Sequence, residues 1–167
     1  MSIQDDLAAI QLQESTLTLP GFSPETAWQL GTTLRELAIA RQQPLVIDVR
    51  RFGSPHQRLF YCALAGTTPD NARWVERKVN VVARFHRSSY QVGLYLLLNN
   101  TSFADRYGLP DADYAAHGGS FPLNVFGTGI VGSVTVSGLP QREDHNLVVE
   151  ALCLLTGRDH EALRLRS

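Results

Sequence analysis

The stretch that decides the fold of this chain is His117-Gly-Gly-Ser-Phe-Pro122, a polar loop that leads into two apolar segments and then an acidic helix start. Paired glycines such as Gly118 and Gly119 allow positive φ angles and let a ligand approach the main chain closely. The polar side chains beside them, His117 and Ser120, are expected at the rim of a pocket. The loop is therefore predicted to form the edge of a ligand site.

The glycines after this loop argue against a dinucleotide-binding unit. Gly127, Gly129 and Gly132 have the spacing of a dinucleotide loop, but that loop must open a helix, and here a strand pattern follows. The segments Phe121–Phe126 and Ile130–Val136 are instead rich in strand formers. They predict an antiparallel pair of strands.

Two further motifs predict helix starts, because each places a hydroxyl cap before a proline and an acid. Ser23-Pro-Glu25 begins a helix that runs to about Gln42. Thr68-Pro-Asp70 begins a second helix, and His86 is expected to extend the apolar stripe of this helix by one turn. The remaining predicted helices are a continuation from Ser88 or Ser89 to Asn99, one turn near Phe103–Tyr107, and a C-terminal helix from Pro140 through Leu155. The remaining predicted strands are Leu17–Leu19, Leu45–Val49 and Leu59–Leu64.

These elements predict an α/β (α+β) fold with a sheet of about five mainly antiparallel strands and helices packed on it. The chain has 167 residues, of which 44% are hydrophobic and 19% charged, and a formal net charge of −1. This length and composition predict one globular domain over residues 1–167. The near-neutral charge gives no general attraction to nucleic acid or to an anionic membrane, so neither is expected as a partner.

The sequence also predicts a cytoplasmic protein. Uninterrupted apolar runs such as Leu94–Leu98 are far shorter than the roughly 20 residues that a membrane span requires. Asp5 and Asp6 stand where a secretory signal needs basic residues. Cys62 and Cys153 are isolated from each other and form no zinc or redox motif, so both are expected to be reduced core residues.

Three features of the chain together resemble a family signature: the glycine pair before Ser120, the segment Gly129–Gly138 and Asp144. The signature is that of the haem-degrading-domain family, which includes HbpS-like, GlcG-like and PduO C-terminal-like proteins. The basic helix around Lys78 resembles the helix that precedes this family's pocket loop. The resemblance spans roughly residues 24–156. His117 makes the chain most similar to a largely uncharacterised branch, which contains a yeast relative linked to protein targeting.

The resemblance implies a profilin-like sheet, a homo-oligomer, and a ligand that differs between members, with haem, corrinoid and iron each reported. Because one fold can carry different functions, it does not fix the ligand of this chain. The cofactor is therefore open, with haem or a corrinoid as candidates.

The helix Arg73–Arg87 carries the charge that such a ligand would need. It has five basic residues against one acid, Glu76, and could receive a carboxylate or propionate through charge-assisted contacts, or could simply be a solvated surface. Lys78 and Arg84 are the best candidates for a pocket role. His117 is either a ligand contact or a structural hydrogen-bonding group of the loop, and His86 is expected to be a stripe residue.

Other catalytic arrangements find little support. Asp144 is expected to cap or stabilise its helix, because a carboxylate is favoured at a helix start. Asp144 and His145 are sequence neighbours and do not face one point on a helix, which disfavours a hydrolase triad with Ser120 or Ser137. The histidines lack the spacing of a helical metal pair, so no metal site is predicted.

The sequence thus favours an oligomeric cytoplasmic small-molecule-binding domain, possible ligands being haem, a corrinoid or another anionic planar molecule. The predicted site comprises His117, Gly118, Gly119, Ser120, Lys78 and Arg84. Two alternatives stay open, a weak haem-degrading or redox enzyme and a non-enzymatic assembly or protein-targeting partner.

Overall fold

A computed structural model describes residues 2–166 and contains seven helices and five strands within them. The helices are α1 (Ile3–Thr16), α2 (Pro24–Ala40), α3 (Pro69–Phe85), α4 (Ser89–Leu98), α5 (Phe103–Tyr107), α6 (Gln141–Thr156) and α7 (His160–Leu163). The strands are β1 (Thr18–Leu19), β2 (Val46–Arg51), β3 (Gln57–Ala63), β4 (Ser120–Val125) and β5 (Gly129–Ser137).

The strands form one sheet in the order β1-β4-β5-β2-β3. The pairs β4–β5, β5–β2 and β2–β3 are antiparallel, whereas the short β1 runs parallel to β4. Gly127 lies in the β4–β5 turn and Gly129 begins β5, with φ angles of 77° and 107°, which favour glycine. The predicted fold class, with about five mainly antiparallel strands, is confirmed.

Helices cover both faces of the sheet. The alternate residues Ile47, Val49, Val134 and Val136 point to one face and join the main core with α2 and α6. On the opposite face, under α3, Val46 of β2 packs with Val75 and Val79 of α3. This second face also carries buried polar side chains, namely Asp48, Arg50, Ser133, Thr135 and Ser137.

Several predicted boundaries need correction. Helix α3 ends at Phe85, and His86 adopts a left-handed conformation (φ 55°) beyond it, so the predicted stripe role of His86 is wrong. Helix α2 ends at Ala40, two residues before the predicted end. Ser88 caps α4, and α5 spans the predicted turn. Cys62 and Cys153 are free, although Cys62 is only half-buried.

Helix α1 was not predicted, because much of its buried side is polar. Asp6 accepts hydrogen bonds from the Arg142 guanidinium, and the Glu14 carboxylate accepts one from the Ser88 backbone amide. Gln13 donates to the carbonyl of Leu163. These polar contacts stand beside a short apolar stripe, Ile3, Leu7 and Ile10, which packs against Tyr90 and Leu94 of α4. No helix of the described residues is long and apolar enough to cross a bilayer.

His145 of α6 is the central partner of α1. Its Nε2 lies 2.8 Å from Gln13 Oε1, and its ring packs against Tyr90 and Phe121. Full burial, assisted by the positive charge of Arg142, lowers the pKa of His145 from 6.5 to about 3. The imidazole is therefore neutral in the folded protein throughout the physiological pH range.

This lowered pKa predicts acid-sensitive folding. Below about pH 6.5 the unfolded chain gains a proton at His145 that the folded chain does not accept until about pH 3, so this contribution to stability is lost as the pH falls. A His145→Gln variant keeps a donor for Gln13 but does not titrate. In urea denaturation between pH 7 and pH 5, the wild type should lose about 1 kcal/mol per pH unit relative to this variant. A stability difference that stays constant with pH would contradict the assignment.

Candidate functional site

Lys78 is the centre of the candidate site. It points from α3 toward the end of β5, where its Nζ donates to the Val136 carbonyl at 3.1 Å and to Asp144 Oδ2 at 3.0 Å. The two side chains are only 4% and 2% exposed. Asp144 Oδ1 also accepts the Leu139 amide at 3.1 Å, so the ion pair joins α3, β5 and the start of α6.

Burial moves both members of this pair toward their neutral forms. It lowers the pKa of Lys78 and raises the pKa of Asp144 from 3.8 to about 6, while their mutual attraction opposes both shifts. The energies of the charged and neutral pairs are thereby brought closer together. The pair is consequently a candidate for proton exchange within a buried site.

The two loop glycines are required by close packing beside this pair. A Cβ atom on Gly119, whose φ is +132°, would lie 2.6 Å from Lys78 Nζ and 2.5 Å from the Val136 carbonyl oxygen. A Cβ on Gly118 would overlap the Gln141 carbonyl oxygen. Sequence reasoning assigned the glycines to ligand approach, but in the structure they let the loop pack on β5, α3 and α6.

Two predicted site residues lie elsewhere. The rim position predicted for Ser120 is wrong: it begins β4, is fully buried, and its Oγ lies 2.8 Å from Thr135 Oγ1. The pocket position predicted for Arg84 is also wrong, because six residues along a helix place it about 120° around the axis from Lys78. Arg84 is exposed, with its guanidinium 5.9 Å from the Phe85 ring centroid.

A pocket of about 240 Å³ opens beside the ion pair, and we call it the lysine pocket. It is lined by Asn71, Trp74, Lys78, His117, Gln141, Asp144 and the segment Ser137–Leu139. The structure thus places His117 and Lys78 at the same pocket. Sequence reasoning missed Trp74 and Gln141, although Trp74 lies one helical turn before Lys78 and so shares its face of α3.

A larger cavity of about 430 Å³ adjoins the lysine pocket, and we call it the aromatic cavity. It lies between α4 and the loop that precedes β4. Its walls are mainly apolar and include Tyr90, Leu94, Leu97, Phe103 and Tyr114, with Arg77 and Asp111 as charged members. His117 and Gln141 line both spaces and form their shared wall.

His117 occupies the shared wall through aromatic packing. Its ring meets Trp74 edge-on at a centroid distance of 5.1 Å, and the Arg77 guanidinium lies 4.6 Å from the Trp74 centroid. Partial burial lowers the pKa of His117, and the positive charges of Lys78 and Arg77 lower it further. A neutral imidazole, with one nitrogen free to accept a proton or a metal, is therefore favoured near pH 7.

Asp144, His145 and Ser120 do not come together as a triad. Asp144 contacts Lys78, His145 contacts Gln13, and Ser120 contacts Thr135, so the three side chains have separate partners. Within residues 2–166, no three His, Cys, Asp or Glu side chains are grouped as metal ligands.

The packing of Gly119 generates a stability prediction. Gly119→Ala should reduce the free energy of unfolding by about 2–4 kcal/mol, because the new Cβ meets a backbone carbonyl and a buried ammonium in a strained φ region. Gly127→Ala is the matched control, since Gly127 also has positive φ (77°) but open space around it. The control should lose only about 1 kcal/mol. Equal losses in chemical denaturation would show that strain alone, and not packing against Lys78, determines the cost.

Comparisons with known proteins place this architecture in a family. A UPF0303 protein of Acidobacterium capsulatum is 56% identical over 165 residues, which cover 99% of this chain and 98% of that protein. The crystal structure of the Ybr137w protein matches with a TM-score of 0.83 and 26% identity, over 90% of this chain and 88% of that one. The crystal structure of a PduOC:haem complex matches with a TM-score of 0.66 and 15% identity, over 80% and 94% of the two chains. The model of the family described as haem degrading protein HbpS-like matches residues 22–153, and the chain belongs to this family.

Proposed function

We propose that the protein binds a planar anionic small molecule, such as haem or a corrinoid, at the aromatic cavity and the adjoining lysine pocket. The observation that carries the proposal is the position of His117 on the wall between an apolar cavity and a polar pocket that contains the Lys78–Asp144 ion pair. The aromatic cavity, at about 430 Å³, falls within the range of roughly 300–1,000 Å³ typical of small-molecule sites.

The residues present fit a haem-like ligand. Tyr90, Phe103 and Tyr114 offer apolar surface to a macrocycle, and neutral His117 would offer an imidazole nitrogen to its metal. Arg77 lines the same cavity and could form charge-assisted hydrogen bonds with a propionate. When bound, haem would supply redox chemistry at its iron, while the chain would bind and orient the macrocycle.

The comparisons support this ligand class without fixing it. The description of the matching family names haem degradation. PduOC, which shares the fold, was crystallised with haem. The family description also favours a second candidate function, slow turnover of the bound macrocycle. A non-enzymatic role as an assembly or protein-targeting partner is the third candidate, and the absence of any ligand from the purified protein would favour it.

Titration with haem and with cobalamin, followed by absorption spectroscopy, tests the proposal. The wild type should bind at least one of them, and His117→Ala should weaken haem binding about tenfold or more and alter the absorption spectrum, because the imidazole that would hold the iron is removed. His86→Asn is the matched control, since His86 is exposed outside both spaces and asparagine tolerates its positive φ. This control should bind as the wild type does.

Native mass spectrometry of the purified protein provides the deciding measurement. A wild type that binds neither macrocycle and retains no small molecule would overturn the ligand-binding function. Equal haem binding by His117→Ala and wild type would remove His117 from the site but leave the cavity as the proposed location.

The proposal also includes a single domain over residues 1–167 that forms a cytoplasmic homo-oligomer. Support comes from large apolar side chains that remain exposed on the protomer, among them Phe126 (82%), Leu97 (64%), Leu154 (61%) and Trp28 (60%). Side chains of this size supply the apolar area that a contact between protomers would bury. Light scattering at micromolar concentration should therefore report a closed oligomer. A monomer as the sole species would contradict this part of the proposal.

A further inference from the structure

We propose that Lys78 is a nucleophile whose amine forms a reversible imine with a small aldehyde or ketone held in the lysine pocket. This inference rests on the ligand site proposed above and assigns a specific chemistry to its smaller compartment.

The choice of lysine at position 78 supports this chemistry. Lys78 is the only lysine of the chain, so 14 of the 15 basic Lys and Arg residues are arginines. The other ion pairs of the described residues use arginine, including the pair between buried Arg50 and fully buried Asp48. Arginine is the better permanent cation for a structural pair, whereas lysine can lose its proton and act as a nucleophile. The chain therefore carries its one side-chain amine at the edge of a pocket.

The geometry around Lys78 Nζ also supports a nucleophilic role. An ammonium has three N–H groups, and Val136 and Asp144 accept two of them. The third has no partner among the described residues, and Lys78 lines the pocket. Asp144, 3.0 Å away, can take a proton from the ammonium and expose a nucleophilic lone pair. Burial favours this transfer, because it destabilises the charged forms of both groups.

The pocket's size and polar lining indicate the class of ligand. About 240 Å³ lies below the usual range for cofactor-sized ligands, so the pocket suits a compound of few atoms. Gln141 and Asn71 line it, and the amide oxygens of both already accept backbone N–H groups, from Gly118 and Thr68. Their amide nitrogens remain to donate to a carbonyl oxygen.

The reaction balances without a redox partner. The neutral amine attacks the carbonyl carbon, a C–N bond forms, and the carbonyl oxygen takes the proton held by Asp144 to give a carbinolamine. That carbinolamine is protonated at nitrogen, and transfer of a second proton from the nitrogen to the hydroxyl releases one water and leaves the protonated imine. His117, which lines the same pocket as a neutral imidazole, can carry that second proton.

Reductive trapping tests the proposal. The folded protein is incubated at pH 7 with glyoxylate or propanal in the presence of cyanoborohydride, which reduces an imine to a stable secondary amine. Lys78 is the only lysine in the sequence, and peptide mapping separates its adduct from one at the first residue. Lys78 should be modified at a rate that saturates with probe concentration, as expected for a bound carbonyl compound.

Arg73→Lys supplies the matched control, because it adds an exposed lysine on the same helix. In this variant Lys78 should be modified several-fold faster than the introduced lysine at pH 7, and the advantage should shrink as the pH rises and the exposed amine loses its proton. Lys78→Arg should remove the pocket adduct and leave labelling of the chain's first amine unchanged.

The opposite results would overturn the proposal. If the introduced lysine is modified and Lys78 is not, or if modification of Lys78 does not saturate, Lys78 is not an imine-forming residue. Haem binding or a retained ligand in the same preparation would then show that the pocket function stands and only the imine chemistry fails. If no ligand is found either, both proposals fall together.

Discussion

The buried ion pair between Lys78 and Asp144 constrains the whole region around the candidate site. Bringing two charges out of water is costly, and their attraction offsets that cost only when further hydrogen bonds complete the geometry. Here the Val136 carbonyl and the Leu139 amide complete it, so the end of β5 and the turn into α6 are held by the same two side chains. The pair in turn requires Gly119, because any Cβ at that position would contact Lys78 Nζ.

A second constraint comes from the sheet face that α3 covers. Buried Asp48 accepts hydrogen bonds from Arg50 at 2.7 Å and from Arg58 at 2.8 Å, and both arginines also bond Glu76 of α3. This charge network fixes the N-terminal half of α3 on β2 and β3. Lys78 follows Glu76 by two residues, so the network and the buried lysine together set the orientation of α3 against the sheet.

The sequence predicted those parts of the fold that depend on local signals. Helix α5 was predicted with its observed bounds, and its local signals are the Ser102 cap before it and Gly108 in the left-handed conformation after it. Helix α1 was missed because its specifying contacts, such as Gln13 with His145, join residues more than a hundred positions apart. Ser120 was misplaced for a similar reason. The glycines before it indicate a loop, but pairing with Thr135 makes it the first residue of a strand.

The same distinction applies to the candidate site. Lys78 and His117 were predicted from a resemblance and a loop pattern, but their relation to Asp144 depends on an ion pair that spans 66 residues of sequence. The ion pair sets Lys78 apart from the other cations of the basic helix. Most of its arginines are exposed or half-buried, whereas Lys78 is removed from water and placed between a carboxylate and a pocket. The positive charge of the whole helix therefore says less about the position of the site than Lys78 does, because Lys78 is the one cation of the helix that the fold removes from water.

The two spaces beside Lys78 also constrain each other. Because His117 and Gln141 separate the aromatic cavity from the lysine pocket, a ligand too large for one space must displace that wall to reach the other. Gln141 is held by the Gly118 amide, whereas His117 is held by edge-on packing against Trp74, a contact worth only about 1 kcal/mol. Rotation of His117 is thus the less costly way to join the spaces. A macrocycle in the aromatic cavity and a small carbonyl compound at Lys78 would then compete for the same imidazole, so occupancy of one space would alter affinity in the other by linkage.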